Sequence, residues 1–108
     1  MLRDRLIAVP NGGARDAITG AKLKDEGVTP GVADLILFVR TPLHGALLIE
    51  MKTPTGRLSQ SQREWSEQLT AEGDYSYNVA RSLDEFAAIV TAYIAEAHDH
   101  NLTDHLHR

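Results

Sequence analysis

The chain contains no cysteine, only four prolines and six aromatic residues, a single tryptophan among them, in 108 residues. Without cysteine there is neither a disulfide framework nor a thiolate zinc site, so His, Asp, Glu and backbone oxygens are the only metal ligands on offer. That inventory favours hard divalent cations. No apolar run reaches the roughly 20 residues of a membrane helix, and no signal-peptide stretch opens the chain. The default expectation is a cytoplasmic protein, in the host cytoplasm if phage-encoded. No internal repeat, low-complexity tract or long linker divides the sequence, which at this length reads as one small domain. A core of this size is modest and leaves a large subunit interface plausible.

The formal charge of −4 argues, taken whole, against a protein that coats nucleic acid by electrostatics. The charge is unevenly spread, however. Residues 1–63 carry nine basic and six acidic groups, a balance of +3, and residues 64–108 carry two basic and nine acidic groups, a balance of −7. Any nucleic acid should meet the first half.

Leu6–Val9 is a short apolar run stopped by the turn cluster Pro10-Asn11-Gly12-Gly13, and reads as a strand. Residues 14–26 read as a helix closed by Gly27. The run from Asp34 to Val39 predicts a buried strand with its acidic residue at the start. Ala46 to Lys52 predicts a second strand, with Leu47, Ile49 and Met51 on one side and Leu48, Glu50 and Lys52 on the other. The short connection predicts antiparallel pairing of these two through a turn at His44-Gly45. Ser59 and Gln62 form a capping-box pattern that opens a helix to Glu72, with Gly73 beyond it. Tyr75 to Arg81 reads as a further strand. Ser82 caps a last helix with an apolar stripe of Phe86, Ile89, Val90, Tyr93 and Ile94. The fold class is therefore α/β, a mixed sheet flanked by helices on both faces.

The chemistry concentrates on the two middle strands. Glu50 and Lys52 share a strand face about 7 Å apart, and Glu-x-Lys alone often marks no more than a partly exposed ion pair. Asp34 lies 16 residues before Glu50, and a hairpin brings the two carboxylates together. Paired carboxylates repel unless a proton or a divalent cation lies between them. Lys52 beside such a cation can orient an attacking water or neutralise charge developing on a phosphate.

Three stretches carry a resemblance: Gly31-Val32-Ala33-Asp34-Leu35, Leu48-Ile49-Glu50-Met51-Lys52, and Gly56-Arg57-Leu58-Ser59-Gln60-Ser61-Gln62-Arg63-Glu64-Trp65. With Pro10-Asn11-Gly12-Gly13 upstream and Tyr77-Asn78-Val79-Ala80-Arg81 downstream, they resemble the VRR-NUC branch of the PD-(D/E)xK nucleases, in its stand-alone phage and prophage form, over roughly residues 6–92. The resemblance implies a restriction-endonuclease-like sheet of about four strands. It implies Mg²⁺ or Mn²⁺ held by Asp34, Glu50 and the backbone carbonyl of Met51, with Lys52 as the catalytic lysine and Gln62 as the helix glutamine of the site. As N3 partner of Ser59, Gln62 has a purely capping alternative. It implies, too, hydrolysis of phosphodiester bonds in DNA by a homodimer, with branched substrates such as four-way (Holliday) junctions.

Two departures accompany the match. Ala33 stands where the motif usually has proline, which supplies no ligand. Only Met1 to Arg5 precede the first strand, where relatives often carry a helix with a further glutamate, so a single metal is expected, with a contribution from another subunit left open. Asn11, Gly12, Gly13, Arg15, Lys22, Lys24, Arg57 and Arg63 are the candidate DNA contacts, although surface lysines are commonly only solvated and the Asn11–Gly13 turn need do no more than reverse the chain. His44 either reaches the scissile phosphate or faces water. The histidines at 98, 100, 105 and 107 lie in a polar segment, so residues 1–97 read as the nuclease domain and 98–108 as a loosely packed tail. The alternative function is a catalytically weak or inactive nuclease fold that serves as a DNA-binding or interaction module.

Overall fold

Alternation along one strand organises the molecule. The computed structural model describes residues 4–10 and 30–106, the side chains of 99–106 excepted. In it β1 (Leu6–Ala8), β2 (Leu35–Leu37), β3 (Ala46–Met51) and β4 (Tyr75–Ala80) form a sheet in the order β1-β2-β3-β4. β1 with β2 and β2 with β3 pair antiparallel, and β3 with β4 pair parallel. The hairpin predicted for the middle strands is present. The parallel pair requires a crossover, supplied by α1 (Gln60–Thr70). A second helix, α2 (Leu83–Leu106), follows β4. The helix read at 14–26 lies outside the described residues.

Leu47 and Ile49 of β3 are wholly buried in a core with Leu37, Val39, Ala80, Tyr93 and Ala97, against which Phe86, Ile89, Val90 and Ile94 of α2 pack. That face of the sheet is closed by the apolar stripe of α2. The opposite face carries Leu48 and Glu50, and α1 lies over it, as the contact between Gln62 and Glu50 shows. The two expected faces of residues 46–52 are thus the two faces of the sheet.

Three boundaries differ from the sequence reading by two residues or more. β2 ends at Leu37 rather than Val39 because the chain bends: Val39 N–H donates to the Leu37 carbonyl at 3.0 Å, and the Val39 carbonyl accepts from the Tyr93 hydroxyl at 2.6 Å. The reversal is organised by buried Thr41, whose hydroxyl oxygen accepts from the amides of Leu43 (3.2 Å) and His44 (2.9 Å). α1 ends at Thr70, two residues early, and Gly73 takes φ +78° just past it. Finally, the segment 98–106, read as a tail, continues α2 as helix to Leu106.

Candidate active site

Glu50 is the penultimate residue of β3 and is only 1% exposed. A buried carboxylate must be neutralised, hydrogen-bonded or bound to a cation. Asp34 immediately precedes β2, and the antiparallel register that sets Leu35 opposite Ile49 carries it to the level of Glu50. Its Oδ2 accepts a 2.8 Å hydrogen bond from the Met51 amide. The Asp34 carbonyl in turn accepts from the Val9 amide at 2.8 Å, so the aspartate is fixed to the strands on both sides of it.

Gln62 makes contacts of two kinds. Its amide oxygen accepts from the Ser59 backbone N–H at 2.8 Å, closing a capping box whose other arm runs from the Gln62 N–H to Ser59 Oγ at 3.1 Å. Its Nε2 donates to Glu50 Oε1 at 3.1 Å. One primary amide therefore caps α1 with its acceptor and holds the site carboxylate with its donor.

Glu50 Oε2 is buried without a formed hydrogen bond, and so is the hydroxyl of Tyr77 on the adjacent strand. The parallel register pairs Leu48 with Tyr77 and Glu50 with Val79, which puts Tyr77 and Glu50 on one sheet face as diagonal neighbours. Both groups titrate far from their usual range. Burial, reinforced by the neighbouring charge of Asp34, pushes Glu50 up to about 8, against a smaller lowering by the Lys52 ammonium. Burial and the two carboxylates push the Tyr77 hydroxyl up to about 12. Glu50 thus holds a proton at neutral pH unless a positive charge replaces it.

Lys52 follows β3 on the face of Glu50, half-buried, and its amide extends the β3–β4 ladder by a 2.9 Å bond to the Ala80 carbonyl. Gly31 has φ +84°, and a Cβ placed there would collide with the Ser61 carbonyl oxygen and stand 2.8 Å from the Gln62 nitrogen. Only glycine lets the segment leading to Asp34 lie this close to the first turn of α1.

The structure therefore brings Asp34, Glu50, Lys52 and Gln62 to one place. These residues fit a divalent cation: hard oxygens, paired carboxylates, and a buried carboxylate oxygen with no hydrogen-bond partner. Among the described residues no cluster of three or more His, Asp or Glu side chains converges; the third oxygen that the family resemblance implies is the backbone carbonyl of Met51. Arg57 and Arg63 are exposed on the loop before α1 and on its first turn, and Arg63 Nη1 donates to the Leu58 carbonyl at 3.0 Å. Asn11, Gly12, Gly13, Arg15, Lys22 and Lys24 lie outside the described residues. His44 stands at the other end of β3, its Nδ1 3.9 Å from Glu96 Oε1 of α2. A groove of about 390 Å³ on the α2 face is lined by Leu47, Ser76, Asn78, Ile89, Tyr93 and Glu96, and none of the four site residues lines it.

Two further residues stand around the site for which the sequence predicts no role: Tyr77, and Arg81, whose side chain crosses to the turn after Lys52. The one available signal for Tyr77 is its even spacing from Val79 on a strand beside Glu50.

Residues 6–84 match the family model of the VRR-NUC domain. This protein belongs to the VRR-NUC domain family. A solved structure of a VRR-NUC domain protein superimposes with a TM-score of 0.73 at 29% identity, over 89% of this chain and 72% of that chain. No curated protein sequence matches. The VRR-NUC domain is a nuclease-type fold, and the four-stranded mixed sheet with helices on both faces is that fold here. Among the described residues no helix is long and apolar enough to cross a membrane.

Proposed function

We propose that this VRR-NUC chain is a divalent-metal-dependent DNA endonuclease selective for branched substrates such as four-way junctions, working as a homodimer. The observation that carries the reading is the buried Glu50 carboxylate, one oxygen held by Gln62 and the other without a partner, beside Asp34 and on the face of Lys52. Asp34, Glu50 and the Met51 carbonyl would hold Mg²⁺ or Mn²⁺. When bound there, the cation supplies Lewis acidity toward phosphate oxygen and water.

The chain's own residues supply the rest. The Met51 amide fixes the Asp34 carboxylate, and Gln62 fixes that of Glu50. The Lys52 ammonium orients the attacking water and offsets the negative charge that gathers on phosphorus-bound oxygens as water adds and one P–O bond to a sugar breaks. Arg57, Arg63 and the positively charged first half of the chain meet the DNA backbone. A twofold assembly suits a substrate with paired strands.

The purified protein is incubated with junction, flap, duplex and single-stranded DNA in Mg²⁺ or Mn²⁺, with Asp34→Asn, Glu50→Gln and Lys52→Ala in parallel, while sedimentation equilibrium reads the oligomer. Cleavage strongest on the junction, lost in all three variants, is expected, with Mn²⁺ binding heat lost in the two carboxylate variants. Failure to cut any substrate, or undiminished cutting by Lys52→Ala, overturns the catalytic reading. DNA binding in EDTA without turnover would then identify a binding module.

A further inference from the structure

The guanidinium of Arg81 donates from one nitrogen, Nη1, to two backbone carbonyls, Thr53 at 2.9 Å and Gly56 at 2.5 Å, 28 and 25 residues earlier in the chain. Those carbonyls bound the tight turn that immediately follows Lys52, closed by the Gly56 amide on the Thr53 carbonyl at 3.2 Å. The turn is packed against the lysine itself. A Cβ added at Gly56 would stand 2.8 Å from Thr53 Oγ1 and 3.7 Å from Lys52 Cδ, so the Gly56 backbone runs alongside the lysine's aliphatic stem.

Arg81 is anchored at its own end too. Its amide donates to Glu85 Oε1 at 3.0 Å in the first turn of α2, and the preceding Ala80 carbonyl takes the Lys52 amide at 2.9 Å. One residue therefore sits at the end of β4 with its backbone tied to α2 and its side chain tied to the loop that leaves β3. A planar guanidinium nitrogen can satisfy two carbonyls in fixed directions, a task for which a rotatable ammonium is poorly suited.

We propose that Arg81 is a positioning residue for Lys52. By holding the Thr53–Gly56 turn, the guanidinium sets the wall along which the lysine stem lies and so aims the ammonium at the face that carries Asp34 and Glu50. The inference rests on the reading of Lys52 as the catalytic lysine, and it assigns the arginine no contact with substrate.

The test combines Arg81→Gln and Arg81→Lys with Lys52→Met, alone and together, in single-turnover cleavage of junction DNA, alongside Mn²⁺ calorimetry and thermal melts of each full-length variant. Misdirecting a catalytic group by about 1 Å costs up to about 100-fold. Arg81→Gln is expected to lower kcat about 10- to 100-fold, with KM and Mn²⁺ affinity within about twofold of the parent, and Arg81→Lys to lower it less. In the Lys52→Met background Arg81→Gln should change the residual rate no further, because the group it positions is gone. Gly56→Ala perturbs the same turn with Arg81 intact and should show the same kinetic signature, which keeps the proposal testable if Arg81→Gln fails to fold. A parental kcat in both Arg81→Gln and Gly56→Ala, or an equal loss with and without Lys52, overturns the positioning role. A Lys52→Met enzyme as fast as the parent overturns the catalytic reading of the lysine, and the positioning role falls with it.

Discussion

Asp34 and Met51 are joined by a 2.8 Å hydrogen bond from the Met51 amide to the Asp34 carboxylate. The bond lies between Glu50 and Lys52 in the chain, so the residue contributed by β2 is locked to the middle of the E-M-K triplet. Any group held by Asp34 and Glu50 is thereby held in fixed relation to Lys52, and this linkage is the frame for the expectations that follow.

Glu50 makes stability depend on pH. Its proton is held to about pH 8 in the folded protein, against an ordinary value of 4.5. Below the ordinary value both states carry the proton. As pH climbs from there, the unfolded chain releases its proton while the folded one retains it, so stability is lost across the window up to about 8 and levels off above it. Thermal melts in EDTA should show this decline, Glu50→Gln should flatten it, and Mn²⁺ at pH 8 should raise the Tm of the parent only. A Glu50→Gln protein with the same slope as the parent would show that the carboxylate is not buried as described.

Ser59 and Gln62 separate capping from chemistry. Ser59→Ala removes one arm of the capping box and should cost about 1 kcal/mol in urea melts while leaving cleavage and Mn²⁺ affinity unchanged. Gln62→Ala removes the other arm and also the donor to Glu50 Oε1. It should weaken Mn²⁺ binding by about 10- to 100-fold, the usual consequence of losing a group that orients a metal ligand. Equal Mn²⁺ affinities in the two variants would return Gln62 to a capping role alone.

Gly31→Ala tests the close approach of chain to helix. At φ +84° a side chain is strained by about 1–3 kcal/mol, and the added carbon would in addition meet the Ser61 carbonyl. A Tm lower by about 10 °C or more is expected, given about 4–8 °C per kcal/mol in a domain of this size. A parental melt would mean that the segment before Asp34 can stand off from α1.

Much of this site was legible in the sequence because its logic is local. Alternation over residues 46–52 separates Leu47, Ile49 and Met51 from Glu50 and Lys52, and a short connection dictates the hairpin that brings Asp34 beside Glu50. The capping box puts Gln62 on the first turn of a helix, where a capping role and a site role are both readable. What escaped depends on long-range geometry. The reach of Arg81 to Thr53 and Gly56 follows from β4 lying parallel to β3, which no periodicity reveals. The early end of β2 depends on the Tyr93 hydroxyl taking the Val39 carbonyl across 54 residues. The extension of α2 beyond Ala97 escapes because a polar segment offers no apolar stripe to read, whereas the helix continues to Leu106.

β3 also sets how the chain can change in length. Its odd-numbered residues build the core under α2, and its even-numbered ones carry the carboxylate, with Lys52 next in the same phase just beyond the strand. Deleting or inserting a single residue within Ala46–Met51 would exchange the two sets, turning Glu50 into the apolar layer and Ile49 toward Asp34. Core and chemistry would be lost in one step. The connection between α1 and β4, with Gly73 at its tip and nothing within 4 Å of an added Cβ there, carries no such parity, and a residue inserted there would shift neither set.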